Sequence, residues 1–246
     1  MTGACRAHRI PLYATPEHEC SYLPGQTAVT LFVDPGCEKG LDLYTALSDQ
    51  GFRRSGGHLY RPSCPDCTAC VPVRVPVDEF QLRRRHRRTW RRNADLEPAI
   101  VPAAFRDEHY ALYRRYLAAR HPGGGMDDPS PDQFTGFLTS PWAETAFVEF
   151  RLRGALLAVA VVDRLQDGLS AVYSFFDPAA ARRSLGAYTV LWEIREARRR
   201  GLDWLYLGYW NEGTRKMCYK SDYLPQERLD DGRWVRVGAG GGCGPL

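Results

Sequence analysis

The stretch Ala146–Asp177, AFVEFRLRGALLAVAVVDRLQDGLSAVYSFFD, holds three apolar runs separated by turn signals at Arg153-Gly154 and Gln166-Asp167-Gly168. Runs of this kind, joined by two or three turn residues, predict an antiparallel meander. On its C-terminal side the period changes. Ala187, Val190, Leu191, Ile194 and Ala197 recur at helical spacing, with Ser184 placed to cap the helix and Gly201 to close it after Arg198, Arg199 and Arg200. The segment LDWLYLGYW (202–210) then reads as one more strand. Upstream, Phe105, His109, Leu112, Tyr113, Tyr116 and Leu117 predict a helix stopped by His121-Pro122-Gly123-Gly124-Gly125, and a second short helix covers Pro131–Leu138.

Further out, the first hundred residues are dense in Pro, Gly and Cys and carry short alternating segments, Thr27–Val33, His58–Arg61 and Val71–Val77. These read as strands of a small, loop-rich domain. An Arg-rich segment follows, and the Pro-flanked LEPAIVPA, near residues 97–104, marks a domain boundary. Downstream of it, two helices, a meander, a long helix and a strand succeed one another in the order of the GNAT acyltransferase fold, which this half of the chain resembles. The expected class is therefore α+β. It comprises an N-terminal Cys-containing domain ending in the basic segment (1–97), a GNAT-like domain with a mostly antiparallel sheet (98–237) and a disordered Gly-rich tail (238–246).

Composition narrows the function. The chain has 246 residues, 44% apolar, 25% charged and 12% aromatic, which excludes a disordered or fibrous protein. The longest apolar run, Ala155–Val162, is far short of the roughly 20 residues of a membrane helix. The first residues contain no apolar core of a secretory signal, so no membrane partner and a cytoplasmic location are expected. The net charge is +4, yet Arg83, Arg84, Arg85, Arg87, Arg88, Arg91 and Arg92 contribute +7, leaving −3 for everything else. A near-neutral chain with one concentrated cationic patch implies a localised polyanionic partner.

On a helical wheel at about 100° per residue, Arg84, Arg87, Arg88, Arg91 and Arg92 share one half with Arg83. Leu82, His86, Thr89 and Trp90 share the other, which is free to dock on a domain. Arginines at i and i+4 repel, and the spacing suits successive phosphates of a nucleic acid; a solvated basic face is the alternative. In GNAT folds, backbone amides following a central strand hold the phosphates of an acyl carrier, usually in a Q/R-x-x-G-x-G/A pattern. Here Arg183-x-x-Gly186 fits, but Tyr188 stands where a small residue should be, which argues against coenzyme A. The alternative is a capped helix in which Gly186 permits close packing. Cys64, Cys67 and Cys70, with Cys20 as a possible fourth, offer metal-ligand spacing, or simply pack a small loop. Two of only three lysines, Lys216 and Lys220, fall in GYWNEGTRKMCYK (208–220) beside Tyr209 and Tyr219, a candidate clamp for a phosphate or carboxylate.

The segments CSYLPGQTAVTLFVDP, GFRRSGGHLYRPSCPDCTACVPVRVPVDEF, RRNADL, RHPGGGMDD, YSFFDP with RSLGAYTVLWEI, and YLGYW with RKMCYK resemble the bacterial leucyl-tRNA-protein transferases. That family, the aspartate/glutamate leucyltransferases, is related to the arginyl-tRNA-protein transferases. The resemblance runs in order from about Glu19 to Tyr223. It implies transfer of leucine from leucyl-tRNA to the N-terminal Asp or Glu of a protein, creating an N-degron, on a GNAT-like domain that uses aminoacyl-tRNA in place of acyl-CoA. No cofactor is expected. Arginyl transferases carry C-x-x-C where this chain has Cys20-Ser-Tyr-Leu23, and an adjacent Cys-Cys where it has Ala69-Cys70, so no metal site is carried over.

For this chemistry we expect Asp177 to bind or deprotonate the acceptor amine, unless it only caps the loop before Pro178, and Tyr173 and Tyr188 to line the site. Arg61, Arg74, Tyr209, Arg215, Lys216, Tyr219 and Lys220 are candidates for the acceptor carboxylate or the tRNA 3′ end. Arg83, Arg84, Arg87, Arg88, Arg91, Arg92, Arg183 and Gly186 are candidates for the rest of the tRNA. Rival readings are an arginyl-tRNA-protein transferase, an acyl-CoA N-acetyltransferase and a non-enzymatic RNA-binding module.

Overall fold

In the computed structural model, residues 10–120 and 128–238 are described, Arg215 and Lys216 by backbone only. The expected helix stop at 121–125 and most of the expected tail thus lie outside the described residues. The first part of the chain forms β1 (Leu12–Ala14), β2 (His18–Glu19), β3 (Thr27–Ala28), β4 (Thr30–Val33), α1 (Leu41–Asp49), β5 (Arg53–Ser55) and β6 (His58–Pro62). Here β1, β4, β6 and β5 make one small sheet and β2 and β3 a two-stranded pair. The sequence reading did not anticipate α1.

There follow β7 (Val71–Pro76), the Arg helix α2 (Arg84–Arg92), β8 (Glu97–Pro102), α3 (Asp107–Arg120) and α4 (Pro131–Leu138). The meander is β9 (Thr145–Leu152), β10 (Ala155–Arg164) and β11 (Gly168–Phe176). After it come α5 (Leu185–Arg199), β12 (Trp204–Trp210), the turn α6 (Arg215–Cys218), β13 (Gln226–Asp230) and β14 (Arg233–Val237). Eight strands form one sheet in the order β14-β13-β7-β12-β11-β10-β9-β8, antiparallel throughout except for the β11/β12 pair. The fold is α+β with mostly antiparallel sheets.

Turn chemistry explains the meander. Arg153 and Gly154, at φ 50° and 85°, supply the two left-handed residues that a tight hairpin turn needs. Asp231 and Gly232 repeat the device at φ 45° and 73° between β13 and β14, a hairpin the sequence reading missed. β10 is buried on both faces. Ala158, Ala160 and Val162 pack toward Val190, Leu191 and Ile194 of α5, and Val159 and Val161 toward Leu112, Leu117 and Phe134 of α3 and α4.

The Pro-flanked stretch expected to mark a domain boundary forms β8, the edge strand of the large sheet. It tolerates Pro98 and Pro102 because only one side needs ladder hydrogen bonds. Upstream of it, β7 lies inside the large sheet between β12 and β13. Ser184 does not cap α5 with its side chain: at φ 55° it leaves the extended conformation that aims a capping oxygen at the first turn.

Candidate active site

Strands β11 and β12 pair in parallel only at Gly168–Trp204, Leu169–Leu205 and Ser170–Tyr206, then part. Arg53 of β5 fills the parting. Its Nη2 donates to the Ala171 carbonyl at 3.0 Å and the Tyr206 carbonyl at 3.3 Å, satisfying backbone acceptors that the lost ladder would leave bare. Beside it opens a cavity of about 330 Å³ lined by Val172, Tyr173 and Ser174 of β11, Leu207, Gly208 and Tyr209 of β12, Thr189, Val190 and Glu193 of α5, Tyr116 of α3, and Met217, Tyr219 and Lys220.

Two cations meet in this cavity. Gly208 has φ 82°, and a β-carbon built on it would lie 3.4 Å from Arg53 Nε and 3.5 Å from Lys220 Nζ. A glycine here leaves the space in front of both cations open. Lys220 Nζ donates to the Tyr209 carbonyl at 2.5 Å, and burial, with Arg53 nearby, lowers its ammonium to about 7. On the α5 wall, Glu193 is 2% exposed and its Oε2 has no hydrogen-bond partner. Burial pushes its carboxyl up to about 8, against the opposing pull of Arg53. Aromatic rings close the cavity, with Tyr173 edge-on to Tyr113, Tyr116 and Phe137.

Of the sequence candidates, the cavity brings together Tyr173, Tyr209, Tyr219 and Lys220. The Tyr209 hydroxyl is committed to the fold, donating to the Gly51 carbonyl at 2.8 Å. Arg74 is committed as well. It pairs with Asp49 at 2.7 Å and Glu227 at 2.9 Å between the rings of Trp204 and Trp234, so its charge is matched and both its faces are covered. Arg61 lies over the Phe52 ring and lines a different cavity. Asp177 does not line this cavity; its Oδ1 accepts from Ala179 N at 2.9 Å, the capping role weighed as the alternative. Tyr188 is buried between Trp90 and Phe150, away from the cavity.

Arg183 grips both carboxylate oxygens of Asp95, at 2.8 and 2.9 Å. A β-carbon on Gly186 would sit 3.0 Å from Phe176 Cε1, so this glycine serves close helix–strand packing. Arg215 and Lys216 open the α6 turn, and their side chains lie outside the described residues. Sequence reasoning missed Arg53 and Glu193. Glu193 falls about 40° beyond the apolar arc of α5, where periodicity does not distinguish a buried acid from a surface one.

In the Arg helix, His86 is buried and stacks on Tyr223, with ring centroids 5.5 Å apart and planes at 4°. Burial, then the neighbouring Arg85, lowers its pKa to about 4, so it docks as a neutral ring. Trp90 packs on Tyr188. Leu82, expected on this docking side, stays 37% exposed because the helix begins only at Arg84. Arg85 pairs with Asp222, Arg87 donates to the Leu82 carbonyl and Arg92 to the Arg182 carbonyl. Arg84, Arg88 and Arg91 are exposed and have no protein partner among the described residues.

Cys20, Cys64, Cys67 and Cys70 are free thiols lining a second cavity of about 520 Å³, with Arg61 and Asn211. Burial pushes the Cys70 thiol up, which favours its protonated form. Among the described residues, no three His, Cys, Asp or Glu side chains are arranged to hold a metal ion. Nor, among them, is any helix long and apolar enough to cross a membrane.

Comparison with known proteins adds an independent line. Residues 18–88 match the family described as arginine-tRNA-protein transferase, N terminus, and residues 108–230 the one described as arginine-tRNA-protein transferase, C terminus. The aspartate/glutamate leucyltransferase of Hahella chejuensis is 52% identical over 93% of this chain and 97% of its own length. Those of Alkalilimnicola ehrlichii and Pseudomonas aeruginosa are 50% and 51% identical, each over 93% of this chain and 96% and 97% of their own. Among solved structures, L-PGS from Bacillus licheniformis is similar at a TM-score of 0.45, with 10% identity over 71% of this chain and 51% of that one.

Proposed function

This chain belongs to the arginine-tRNA-protein transferase family, and from that membership we propose that it transfers leucine from leucyl-tRNA to the N-terminal Asp or Glu of acceptor proteins, marking them for degradation. The names of its relatives, at about half identity over almost their whole length, support this donor and these acceptors. We take the α3–β12 region to be a GNAT-like core, with the parted β11/β12 pair as its reaction cleft. The reaction belongs in the cytoplasm, where aminoacyl-tRNA is made and used.

The observation that carries the reading is the pair of cations at Gly208. Arg53 and Lys220 face one open point in a cavity that also holds apolar side chains. An acidic acceptor side chain supplies the anion these cations lack, and Val190, Leu207 and Met217 offer surface for a leucyl side chain. Positioning supplies a large part of the rate, because the aminoacyl ester is activated and an α-amino group has a pKa of about 7.7–8.0. The Arg84, Arg88 and Arg91 guanidiniums track the tRNA backbone.

The test offers purified protein leucyl-tRNA or arginyl-tRNA with peptides beginning with Asp, Glu or Ala. Leucine on the Asp and Glu peptides alone is the expected result. Arginine instead assigns the sister specificity, and transfer from neither donor overturns the reading.

A further inference from the structure

Among the described residues four carboxylate side chains are buried, Glu149, Asp163, Glu193 and Glu196. Three of them hold arginines: Glu149 pairs with Arg151, Asp163 with Arg54 and Glu196 with Arg200. Glu193 is different. Among the described residues it pairs with no cation and its Oε2 accepts no hydrogen bond, and it stands on the wall of the active cavity. A buried polar atom left unsatisfied is destabilising, so its place at the cavity wall points to a ligand.

The ligand must carry positive charge toward Glu193 and negative charge toward Arg53 and Lys220. An N-terminal Asp or Glu has that form, with an α-ammonium and a side-chain carboxylate a few atoms apart. The leucyl donor does not. The carboxyl of the leucyl group is esterified, so the only charge on that group is an ammonium, which two cations in the same cavity repel. Resting on the proposed leucyl transfer, we propose that Glu193 receives the α-ammonium of the acceptor and takes the proton whose loss frees the amine to attack.

The step balances without an added reagent. Before the acceptor binds, burial holds Glu193 protonated, and the arriving ammonium displaces that proton to solvent. The ammonium then gives one proton to the resulting Glu193 carboxylate. The freed nitrogen lone pair forms the N–C bond to the leucyl carbonyl, and the ester C–O bond breaks with its electron pair going to the ribose oxygen. That oxygen leaves as a hydroxyl, carrying the second proton lost by the nitrogen, and Glu193 is left protonated, as it was before the acceptor bound. General-base help of this kind is worth about 10²-fold to 10⁴-fold in rate.

Single-turnover transfer from labelled leucyl-tRNA to an Asp-initiated peptide tests the assignment on the full chain. Glu193→Gln is expected to slow transfer by about 10²-fold or more, with leucyl-tRNA affinity unchanged and no loss of melting temperature, while Glu193→Asp restores most of the rate. With N-acetylleucyl-tRNA as donor, the wild type still transfers and Glu193→Gln still fails. Near-normal transfer by Glu193→Gln overturns the role of Glu193 and leaves the leucyl-transfer reading standing. So does a wild-type rate that falls as far on donor acetylation as on Glu193→Gln, since the carboxylate would then serve the donor. No transfer by the wild type overturns the underlying reading instead. Should Glu193→Gln fail to fold, competition on the wild type decides: an N-acetyl-Asp peptide is expected to compete far more weakly than its free-amine counterpart, and equal competition overturns the proposal.

Discussion

Arg54 Nε lies 2.5 Å from Asp163 Oδ2, with both side chains fully enclosed. Asp163 also accepts from the Tyr44 hydroxyl at 2.8 Å and Thr145 Oγ1 at 2.7 Å, and Arg54 donates to the carbonyls of Gly56, Leu138 and Thr139. One ion pair thus ties the small sheet to the large sheet and to the end of α4. Removing one partner strands the other charge, so Arg54→Met or Asp163→Asn should destabilise the chain by about 3–5 kcal/mol. In urea unfolding, Arg54→Met combined with Asp163→Asn should lose less than the sum of the single losses.

Lys220 should govern the choice of acceptor. Lys220→Met removes one of two cations from a buried site and is expected to cost about 2–5 kcal/mol of acceptor binding. Gly208→Ala should impair it too, by placing a methyl where the anion would sit. Steady-state kinetics with Asp-initiated and Ala-initiated peptides checks both, the expected change being a rise in KM for the Asp peptide alone.

Stability should depend on pH through Glu193 and Lys220 with opposite signs. The Glu193 carboxyl is raised from 4.5 to about 8, so the folded state binds the extra proton and the linked stability, fully present below 4.5, is lost as pH climbs to about 8. Lys220 is lowered from 10.5 to about 7; here the unfolded state binds the extra proton, and stability rises between those values. The stability of wild type minus Glu193→Gln should therefore fall with pH in the first window, and that of wild type minus Lys220→Met should rise in the second. Chemical denaturation across pH measures both.

The exposed arginines of α2 should act through salt-dependent affinity. Replacing Arg84, Arg88 and Arg91 with Gln is expected to reduce the slope of log affinity against log salt by about two to three, at about 0.7–0.9 per phosphate contact, equally for every tRNA tested. Filter binding over a salt series measures it, and the melting temperature should hold.

Asp177 should matter to folding and not to chemistry. Its carboxylate holds the Ala179 amide at the start of the turn after β11. Asp177→Ala is expected to cost about 0.5–2 kcal/mol of stability, as a lost cap does, with single-turnover leucyl transfer near that of the wild type. A large fall in rate at unchanged stability would return Asp177 to the site.

Much of the fold was legible because it rests on local rules. The apolar runs and turns at Arg153-Gly154 and Gln166-Asp167-Gly168 fix the meander, and the stripe from Ala187 to Ala197 fixes α5. The Asp231-Gly232 hairpin carried an equally local signal, missed because β13 and β14 are short and charged. The site was less legible. Lys220 stood out by composition, but Arg74 and Arg183 looked as available as any arginine until the fold supplied Asp49, Glu227 and Asp95.

By itself, then, the sequence determined the order and type of the main elements, the cationic face of α2 and the family resemblance, all of which depend on neighbours along the chain. Only the tertiary structure decided which charged groups meet. Arg53, Glu193 and Lys220 come from three distant segments, and they share a cavity because β11 and β12 part after Ser170 and Tyr206. Periodicity records whether a side chain turns inward. It does not record what it will find there, and for a charged group that partner separates a structural ion pair from a functional one.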